Sequence, residues 1–311
     1  MNKETLIQVH NRVKPFIHKT PVLTSELINK ICECKVFFKC ENFQKMGAFK
    51  MRGATNAILN LPKEKLNRGV VTHSSGNFAQ ALSLAAKQIG TKAYIVMPKN
   101  APRVKKEAVK GYLGDIIESE STPIAREKMA DKVSLKKRAT FIHPSNDDDV
   151  INGQGTAAIE LLEEQPELDY IFVPVGGGGL IAGTALAANY FSDKCKVIGG
   201  EPKNVDDAYR SLLSGKIEYN QDTNTIADGL RTNLGDRNFP IIKEHVERII
   251  RVEEEEIVAA MKLIWERMKI IIEPSSAVAF AALLKEKEEF KNKKVGVIIS
   301  GGNVDLSNLP F

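Results

Sequence analysis

The stretch VPVGGGGLIAGTALAANYF, Val173 to Phe191, joins a short apolar run to four glycines and then to a helical pattern of small residues. The apolar run predicts a buried strand that ends at Val175, and the small residues predict a helix that begins near Leu180. Glycines let backbone N–H groups converge on an anion, and a helix N-terminus adds positive partial charge. A tight turn needs only one or two glycines, so four in succession favour a phosphate-binding loop.

The same glycine loop also fits a second kind of cofactor. Gly177, Gly179 and Ala182 match the dinucleotide-binding pattern G-x-G-x-x-A. Glu201 ends the next predicted strand, about where a ribose-binding acid belongs. Taken alone, the loop therefore leaves a nicotinamide enzyme open, and the other strand ends have to decide.

Apolar runs rich in β-branched residues recur along the chain and alternate with helical patterns. They are KVFFKC, GVVTHSS, KAYIVM, DYIFVPV, KVIGGE and KVGVIIS. This alternation predicts an α/β protein whose parallel sheets are wrapped by helices. Glycine and polar residues follow several of the runs, and open α/β folds build their sites at those strand ends.

The composition excludes several classes of function. The chain has 311 residues, of which 43% are hydrophobic and 27% charged, as expected for a soluble enzyme with an ample core. Its net charge is only +5 and the basic residues are scattered, which argues against nucleic acid as a partner. No run of eighteen apolar residues and no N-terminal signal region occurs, so we expect no membrane association and a cytoplasmic location.

A polar turn follows the strand in VVTHSSGNFAQALSLAA. That strand is predicted to end at His73, which we interpret as a packed histidine, and Ser74, Ser75, Gly76 and Asn77 then open a helix. Hydroxyl groups, an amide and free helix N–H groups together suit a small carboxylate. A simple helix cap would explain one of these residues but not the whole cluster.

The stretch ENFQKMGAFKMRGATNAI, Glu41 to Ile58, places Lys50 just ahead of an apolar helical pattern, where a lysine is predicted to be buried. The turn SGGN, which begins at Ser300, adds a hydroxyl over a glycine-lined space and is by itself a weak signal. Desolvation lowers the pKa of a lysine and frees its amine to form a Schiff base. A phosphate-binding loop, a carboxylate receptor and a buried lysine together suit pyridoxal 5'-phosphate better than a dinucleotide.

The sequence resembles the fold type II pyridoxal-phosphate enzymes of the serine racemase and serine/threonine dehydratase family. The matching motifs run from about residue 18 to 306 and are KCENFQKMGAFKMRGA, VVTHSSGN, VPVGGGGLIAG, EPKNVDDAY, TIADGL, WERMKIIIEPSSAV and SGGNVDL. The resemblance implies two open, twisted, mostly parallel sheets wrapped by helices. It also implies a small domain at residues 68–145, inserted into a large cofactor-binding domain formed by 1–67 and 146–311, with the cofactor in the cleft between them.

The resemblance also implies a role for individual residues at the cofactor. Lys50 would be the Schiff-base lysine, Phe49 would contact the cofactor ring and Asn77 would bond its phenolic oxygen. Ser300 would face the pyridine nitrogen, where a serine does not stabilise a protonated pyridinium, so transamination is discouraged. The residues implied for the phosphate are Gly176, Gly177, Gly178, Gly179 and Leu180.

The activity that the resemblance implies is an amino-acid racemase, an isomerase of L- and D-serine. Racemisation needs an acid/base group on each face of the substrate α carbon, and these would be Lys50 and Ser75. Loss of the β-hydroxyl, a serine dehydratase reaction that yields pyruvate and ammonia, is expected beside it. Two alternatives remain open: a dedicated ammonia-lyase for L-serine, L-threonine or 3-hydroxyaspartate, and a catalytically silent ligand-binding homologue.

Further sites follow from the resemblance. Glu201, the carbonyl of Val205 and Asp207 would bind Mg²⁺, or Ca²⁺ or Mn²⁺, because hard cations prefer oxygen ligands. A homodimer is what relatives suggest. The residues implied for the amino-acid substrate are Ser74, Ser75, Asn77, Arg126 and Thr232.

The chain also departs from the family pattern. Phe78 stands where a histidine is usual, which makes the substrate pocket more apolar. Glu26 and Met46 differ from the nucleotide site of mammalian serine racemases, although Ser25 and Lys45 match it. Because Glu26 would place negative charge near phosphates, the sequence argues against ATP as an effector.

Overall fold

The computed structural model describes residues 1–311, the side chain of Pro123 excepted. The described residues form ten strands and thirteen α-helices. The strands are β1 (Val22–Leu23), β2 (Lys35–Cys40), β3 (Val70–His73), β4 (Ala93–Pro98), β5 (Asp115–Ser119), β6 (Thr140–Phe141), β7 (Tyr170–Pro174), β8 (Lys196–Pro202), β9 (Val246–Val252) and β10 (Lys294–Ile299). The helices are α1 (Lys3–Val13), α2 (Glu26–Cys32), α3 (Lys50–Leu59), α4 (Lys63–Leu66), α5 (Asn77–Ile89), α6 (Arg103–Gly111), α7 (Pro123–Lys137), α8 (Asp148–Glu164), α9 (Gly179–Phe191), α10 (Asp207–Ser214), α11 (Asn238–His245), α12 (Glu254–Met268) and α13 (Pro274–Lys285).

The strands form two sheets. The larger has the order β1-β2-β10-β7-β8-β9, and all its pairs are parallel except the edge pair β1 and β2. The smaller has the order β5-β4-β3-β6 and is entirely parallel. This confirms the predicted α/β class with two mostly parallel sheets. Because the carboxyl ends of parallel strands share one edge of a sheet, the turns after β7 and β10 lie at the same edge of the larger sheet, and the turn after β3 lies at the corresponding edge of the smaller sheet.

The six apolar runs of the sequence all contain strands, but the four strands at the sheet edges, β1, β5, β6 and β9, were not predicted. β1 and β6 are only two residues long. β5 and β9 are longer, and one side of each is not paired. Their sequences, DIIES and VERIIRV, therefore mix charged with apolar residues and lack the continuous apolar run of a central strand.

The smaller sheet is made of strands that all lie between residues 70 and 141. Its core also contains side chains from α3, including Met51, Ala54 and Ile58, which lie outside that segment. The division into domains at 68–145 stays a prediction. Among the residues described, no helix has the length and apolar character to cross a membrane.

Three helices pack so closely that their backbones touch. A Cβ atom built on Gly153 of α8 would lie 2.6 Å from the Cα atom of Gly53 in α3. A Cβ atom built on Gly155 of α8 would lie 2.6 Å from the carbonyl oxygen of Gly183 in α9. Glycine is therefore required at these contacts, and α8 sets the spacing between α3, which begins with Lys50, and α9, which begins at the glycine loop.

Candidate active site

Lys50 is the first residue of α3, and its amine is enclosed by other parts of the chain. Lys50 Nζ donates a hydrogen bond to the carbonyl oxygen of Pro144 at 2.8 Å. It lies 5.0 Å from the ring centre of Phe49 and 5.7 Å from that of Phe78. Burial lowers the pKa of Lys50 to about 8, although the carboxylate of Glu273 opposes the shift. Near neutral pH a useful fraction of this amine is unprotonated, so it can act as a nucleophile or a base.

The glycine loop between β7 and α9 packs against residues of other segments of the chain. A Cβ atom on any of its four glycines would collide with a neighbouring residue, so packing alone requires glycine there, and the number of glycines is not by itself evidence for phosphate as the sequence argument had it. The atoms in the way are Leu230 Cα for Gly176, Ser145 Oγ for Gly177, Asn238 Oδ1 for Gly178 and the Ser145 carbonyl for Gly179. No side chain caps the N-terminus of α9 in the described residues, so its first N–H groups remain free for an anion such as phosphate.

The turn after β3 contains the serines that the sequence singles out. Ser74 N–H donates to the Val96 carbonyl at 3.2 Å, and Ser74 Oγ accepts from Gly76 N–H at 3.4 Å. Ser75 is half-buried beside them. The turn ends at Asn77, the first residue of α5.

Asn77 connects this turn to Glu273 and Asn303, which are distant in the sequence. Its Nδ2 donates to both carboxylate oxygens of Glu273, at 3.0 and 3.1 Å, and its Oδ1 accepts from Asn303 Nδ2 at 2.9 Å. In this structure the Asn77 amide therefore contacts Glu273. Its bond to the phenolic oxygen of the cofactor stays a prediction.

Glu273 is a site residue that the sequence reasoning missed. It immediately precedes α13, is 5% exposed and also accepts a hydrogen bond from Asn303 N–H at 3.1 Å. Burial raises the pKa of Glu273 to about 7, while the bond from Asn77 works in the opposite direction. The available signal was an acid that ends the apolar run IIIE and precedes Pro274, at the start of a helix.

Ser300 lies at the end of β10 and supports the residues before Lys50. Its side chain is buried, with Oγ 3.0 Å from Ser276 Oγ, and its carbonyl accepts from Phe49 N–H at 2.9 Å. Ala48 forms a β-bridge with Gly301 in the same region. The SGGN turn and the lysine segment are therefore in direct contact, as a shared site requires.

The predicted substrate residues Thr232 and Arg126 lie beside different elements of the structure. Thr232 lies beside the glycine loop, since its Cγ2 is 3.3 Å from a Cβ atom built on Gly177. Arg126 belongs to α7 and lies near His73. Burial lowers the pKa of His73 against the pull of Glu127, and the charge of Arg126 lowers it further. Arg126 Nε is buried without a hydrogen-bond partner among the described side chains, which leaves it free for an anion.

The predicted metal ligands Glu201 and Asp207 are two fully buried carboxylates. Glu201 accepts from the N–H groups of Ala208 and Tyr209 at 2.9 and 2.8 Å. Burial raises the pKa of Glu201 well above its usual range, with a contribution from Asp207, and burial raises the pKa of Asp207 to about 6. The Asp207 oxygens accept from Asn220 Nδ2 at 2.6 Å and from Leu234 N–H at 3.0 Å, so both carboxylates already have hydrogen-bond partners.

The donor set at these two carboxylates is small. In the part of the chain that the structure describes, no group of three His, Cys, Asp or Glu side chains could hold a metal. A cation here would need the Val205 carbonyl and water as further ligands, and this fits Mg²⁺ and Ca²⁺ better than zinc. The metal site stays a prediction.

Comparison with known proteins decides between the two cofactors that the glycine loop left open. Residues 13–301 match the family described as pyridoxal-phosphate dependent enzyme. The chain belongs to this family. It is 52% identical over 308 residues to a serine racemase of Dictyostelium discoideum, over 97% of this chain and 94% of that protein. It is 47% identical over 308 residues to a beta-hydroxyaspartate dehydratase of Paracoccus denitrificans, over 99% of this chain and 98% of that protein.

The fold of this pyridoxal-phosphate-dependent enzyme is also that of solved relatives. It superposes on the crystal structure of the Dictyostelium discoideum serine racemase with a TM-score of 0.94 and 51% identity, covering 98% of this chain and 99% of that one. The fold type II architecture is therefore confirmed. Lys50, with its lowered pKa, and the free N–H groups of α9 fit an aldehyde and a phosphate respectively.

Proposed function

We propose that this enzyme interconverts L- and D-serine and, as a side reaction, converts serine to pyruvate and ammonia. The observation that carries the proposal is the half-buried Ser75 in the turn that leads into α5, the helix whose Phe78 ring lies 5.7 Å from the low-pKa amine of Lys50. The serine racemase of Dictyostelium discoideum, similar over nearly the whole chain, supports the same conclusion.

Lys50 and Ser75 each carry out one of the two proton transfers at the substrate α carbon. When bound, pyridoxal 5'-phosphate withdraws electrons from the substrate α carbon and makes its proton acidic. Lys50 Nζ exchanges this proton on one face, and Ser75 Oγ exchanges it on the other. Racemisation uses both faces. Elimination of the β-hydroxyl needs proton removal on only one face, so it accompanies racemisation and does not depend on Ser75 when L-serine is the substrate.

Other residues bind and orient. The N–H groups of Gly176 to Leu180 would hold the cofactor phosphate, Phe49 would contact its ring and Ser300 would face its pyridine nitrogen. The cluster assigned to the substrate consists of Ser74, Ser75, Asn77, Arg126 and Thr232. Its hydroxyl and amide groups and the buried Nε atom of Arg126 suit a small zwitterion.

Contacts across the cleft support closure of the segment 68–145 over the substrate. Asn77 bonds Glu273, and Lys105 of α6 forms an ion pair with Asp228 at 2.8 Å. Closure by such contacts would exclude water from the reacting atoms.

The cation, the assembly state and the location are part of the same proposal. The buried carboxylates of Glu201 and Asp207 support Mg²⁺, Ca²⁺ or Mn²⁺ as a structural cofactor. A homodimer is supported by the family resemblance, and the cytoplasm is proposed as its location. No ATP requirement is proposed.

A dedicated hydroxyamino-acid ammonia-lyase is the second candidate function. The 47% identity to a beta-hydroxyaspartate dehydratase favours it, as does the apolar ring of Phe78 beside Lys50. This candidate predicts pyruvate from L-serine without any D-serine.

The test is a chiral product assay on L-serine with Ser75→Ala. D-serine formation should fall by at least about 100-fold, because one proton-transfer group is gone, while pyruvate formation stays within about threefold. Ser74→Ala is the matched control, since Ser74 is assigned to binding and to no proton transfer, so its loss should lower both products in proportion. Persistence of D-serine in Ser75→Ala would show that another group serves the second face.

A further inference from the structure

The loop between β6 and α8 contains a histidine to which the proposed reaction gives no role. His143 Nδ1 accepts hydrogen bonds from the backbone N–H groups of Ser145, at 3.1 Å, and Asn146, at 2.8 Å. A ring nitrogen that accepts carries no proton, so the imidazole is neutral and its proton is on Nε2. Burial, followed by the nearby His73 and Lys50, lowers the pKa of His143 to about 4. The ring therefore stays neutral at physiological pH.

The two bonds to His143 fold residues 143–146 into a turn that reaches the site at two points. Its Pro144 carbonyl accepts the hydrogen bond from Lys50 Nζ at 2.8 Å. Its Ser145 carbonyl accepts from Asn238 Nδ2 at 3.2 Å, and the same Nδ2 atom donates to the Gly177 carbonyl at 2.8 Å. One short turn thus contacts the reactive amine and, through Asn238, the phosphate-binding loop.

The His143 ring also packs against the strand that leads to the serine turn. It meets the His73 ring edge-on, with centres 5.8 Å apart and an angle of 87°. His73 is the last residue of β3 and directly precedes Ser74 and Ser75. His143 is therefore in contact with the elements that carry both proposed proton-transfer groups.

We infer that His143 is a positioning residue for Lys50: its Nδ1 folds the 143–146 turn, and the turn presents the Pro144 carbonyl to the Lys50 amine. The role rests on the proposed function, because the orientation of Lys50 matters to the reaction only if Lys50 holds the cofactor and moves the proton. Without the acceptor at His143, the turn loses two hydrogen bonds and Lys50 loses its fixed partner.

Two substitutions separate the acceptor from the bulk of the ring. His143→Leu keeps a side chain of comparable volume but has no acceptor. His143→Asn places Oδ1 one bond from Cγ, as Nδ1 is, and asparagine oxygens commonly accept N–H groups two residues ahead in turns. His143→Asn is therefore the matched control that should retain the turn. If His143→Leu does not fold, His143→Ala supplies the same comparison.

The first measurement is hydrogen exchange of the Ser145 and Asn146 amides in the full chain, with and without cofactor. His143→Leu should raise both exchange rates about tenfold, since each amide loses its partner, and His143→Asn should stay within about threefold of wild type. This measurement needs no turnover, so it can fail or succeed independently of the proposed function.

The second measurement is the pH dependence of Lys50 acetylation by acetic anhydride in the cofactor-free chain. The wild-type midpoint is expected at about 8. In His143→Leu it should fall by roughly 0.5–1 pH unit, because the ammonium form loses its hydrogen-bond acceptor. His143→Asn should keep the wild-type midpoint. A residue that only fills space would not move this midpoint.

The third measurement is steady-state kinetics of the holoenzyme on L-serine. In His143→Leu, kcat for both products should fall about tenfold while KM stays within about threefold, since only the proton-transferring amine is disturbed. Wild-type exchange and an unchanged Lys50 midpoint in His143→Leu would overturn the inference. If these shift as stated but wild type forms neither product, the positioning role stands and the proposed function fails.

Discussion

Helix α3 contributes one residue to each of two groups of charged side chains in the protein interior. In the balanced group each charge has an opposite charge in hydrogen-bond contact, and in the unbalanced group it does not. In the first group, Arg52 bonds Glu41 at 2.7 and 2.8 Å and Glu160 at 2.9 and 2.7 Å. Lys39 completes it with an ion pair to Glu160 at 2.7 Å. Two cations face two anions. Burial opposes the charge of Glu160, yet Arg52 and Lys39 hold the pKa of its carboxyl below the usual range.

The second group consists of Lys50 and Glu273, whose hydrogen-bond partners are neutral. Lys50 bonds the Pro144 carbonyl, and Glu273 bonds the Asn77 amide. Burial moves the pKa of Lys50 down to about 8 and that of Glu273 up to about 7. The difference shows that burial alone does not make a group reactive. A buried charge becomes titratable near pH 7 when the surrounding structure does not supply its counter-charge in hydrogen-bond contact.

The largest effect should come from breaking the balanced group. Arg52→Met leaves the buried carboxylates of Glu41 and Glu160 without their main partner, so the free energy of unfolding should fall by about 3–5 kcal/mol. Urea unfolding measures it. Arg237→Met, which removes an exposed ion pair with Asp148, is the control and should cost less than about 1 kcal/mol. Equal effects of the two substitutions would mean that the balanced group does not stabilise the fold.

Substitution of Lys50, the lysine of the unbalanced group, should raise rather than lower the free energy of unfolding. Lys50→Met should stabilise the cofactor-free chain at pH 7 by up to about 3 kcal/mol, because a buried charge is replaced by an apolar side chain. The folded pKa of about 8 lies below the usual 10.5, so the unfolded chain binds the proton more tightly. Wild-type stability should therefore rise from pH 8 to 10.5, and the gain from Lys50→Met should vanish over the same interval.

Lys136→Met on the exposed face of α7 is the control for Lys50→Met and should change stability by less than about 0.5 kcal/mol. Loss of stability in Lys50→Met would contradict the assignment of Lys50 as an unbalanced charge. The same variant should lose cofactor binding and both products.

Glu201 of β8 and Asp207 of α10 extend the comparison to a third buried group, in which both members are acids. Mg²⁺ at 100 times its dissociation constant should raise the free energy of unfolding by about 2.7 kcal/mol. Asp207→Asn should abolish this gain, and the exposed control Asp193→Asn should retain it. The gain should weaken as the pH falls through about 6, where Asp207 takes up a proton. No stabilisation by Mg²⁺, Ca²⁺ or Mn²⁺ would remove the metal site from the proposal.

The smallest effect concerns Glu273. Its folded pKa of about 7 lies above the usual 4.5, so the folded chain binds more protons between these values. Wild-type stability in the cofactor-free state should therefore fall by about 2 kcal/mol from pH 5 to 7, and Glu273→Gln should lack this slope. Urea unfolding at several pH values measures both. A slope that survives in Glu273→Gln would place the titration on another group.

Much of the fold could be predicted because central parallel strands are buried on both faces and read as continuous apolar runs. The edge strands β5 and β9 escaped prediction, since their exposed sides carry charged residues. Lys50 was predicted to be buried from its place before an apolar helix, and in the structure it is half-buried with a lowered pKa. Glu273 was missed because its partner Asn77 is 196 residues away, a contact that no local pattern reveals. His143 was missed for a related reason. Its proposed role depends on the contact between the 143–146 turn and Lys50, which is distant in the sequence.

The backbone contacts of α8 have a practical consequence for engineering. Replacing helix glycines with alanine is a common route to heat tolerance and often gains about 0.4–1 kcal/mol. At Gly153 and Gly155 the added methyl group would force α8 away from α3 and α9. Neither glycine is assigned to substrate or cofactor. An alanine at either position would nevertheless change the distance between Lys50 at the start of α3 and the glycine loop at the start of α9.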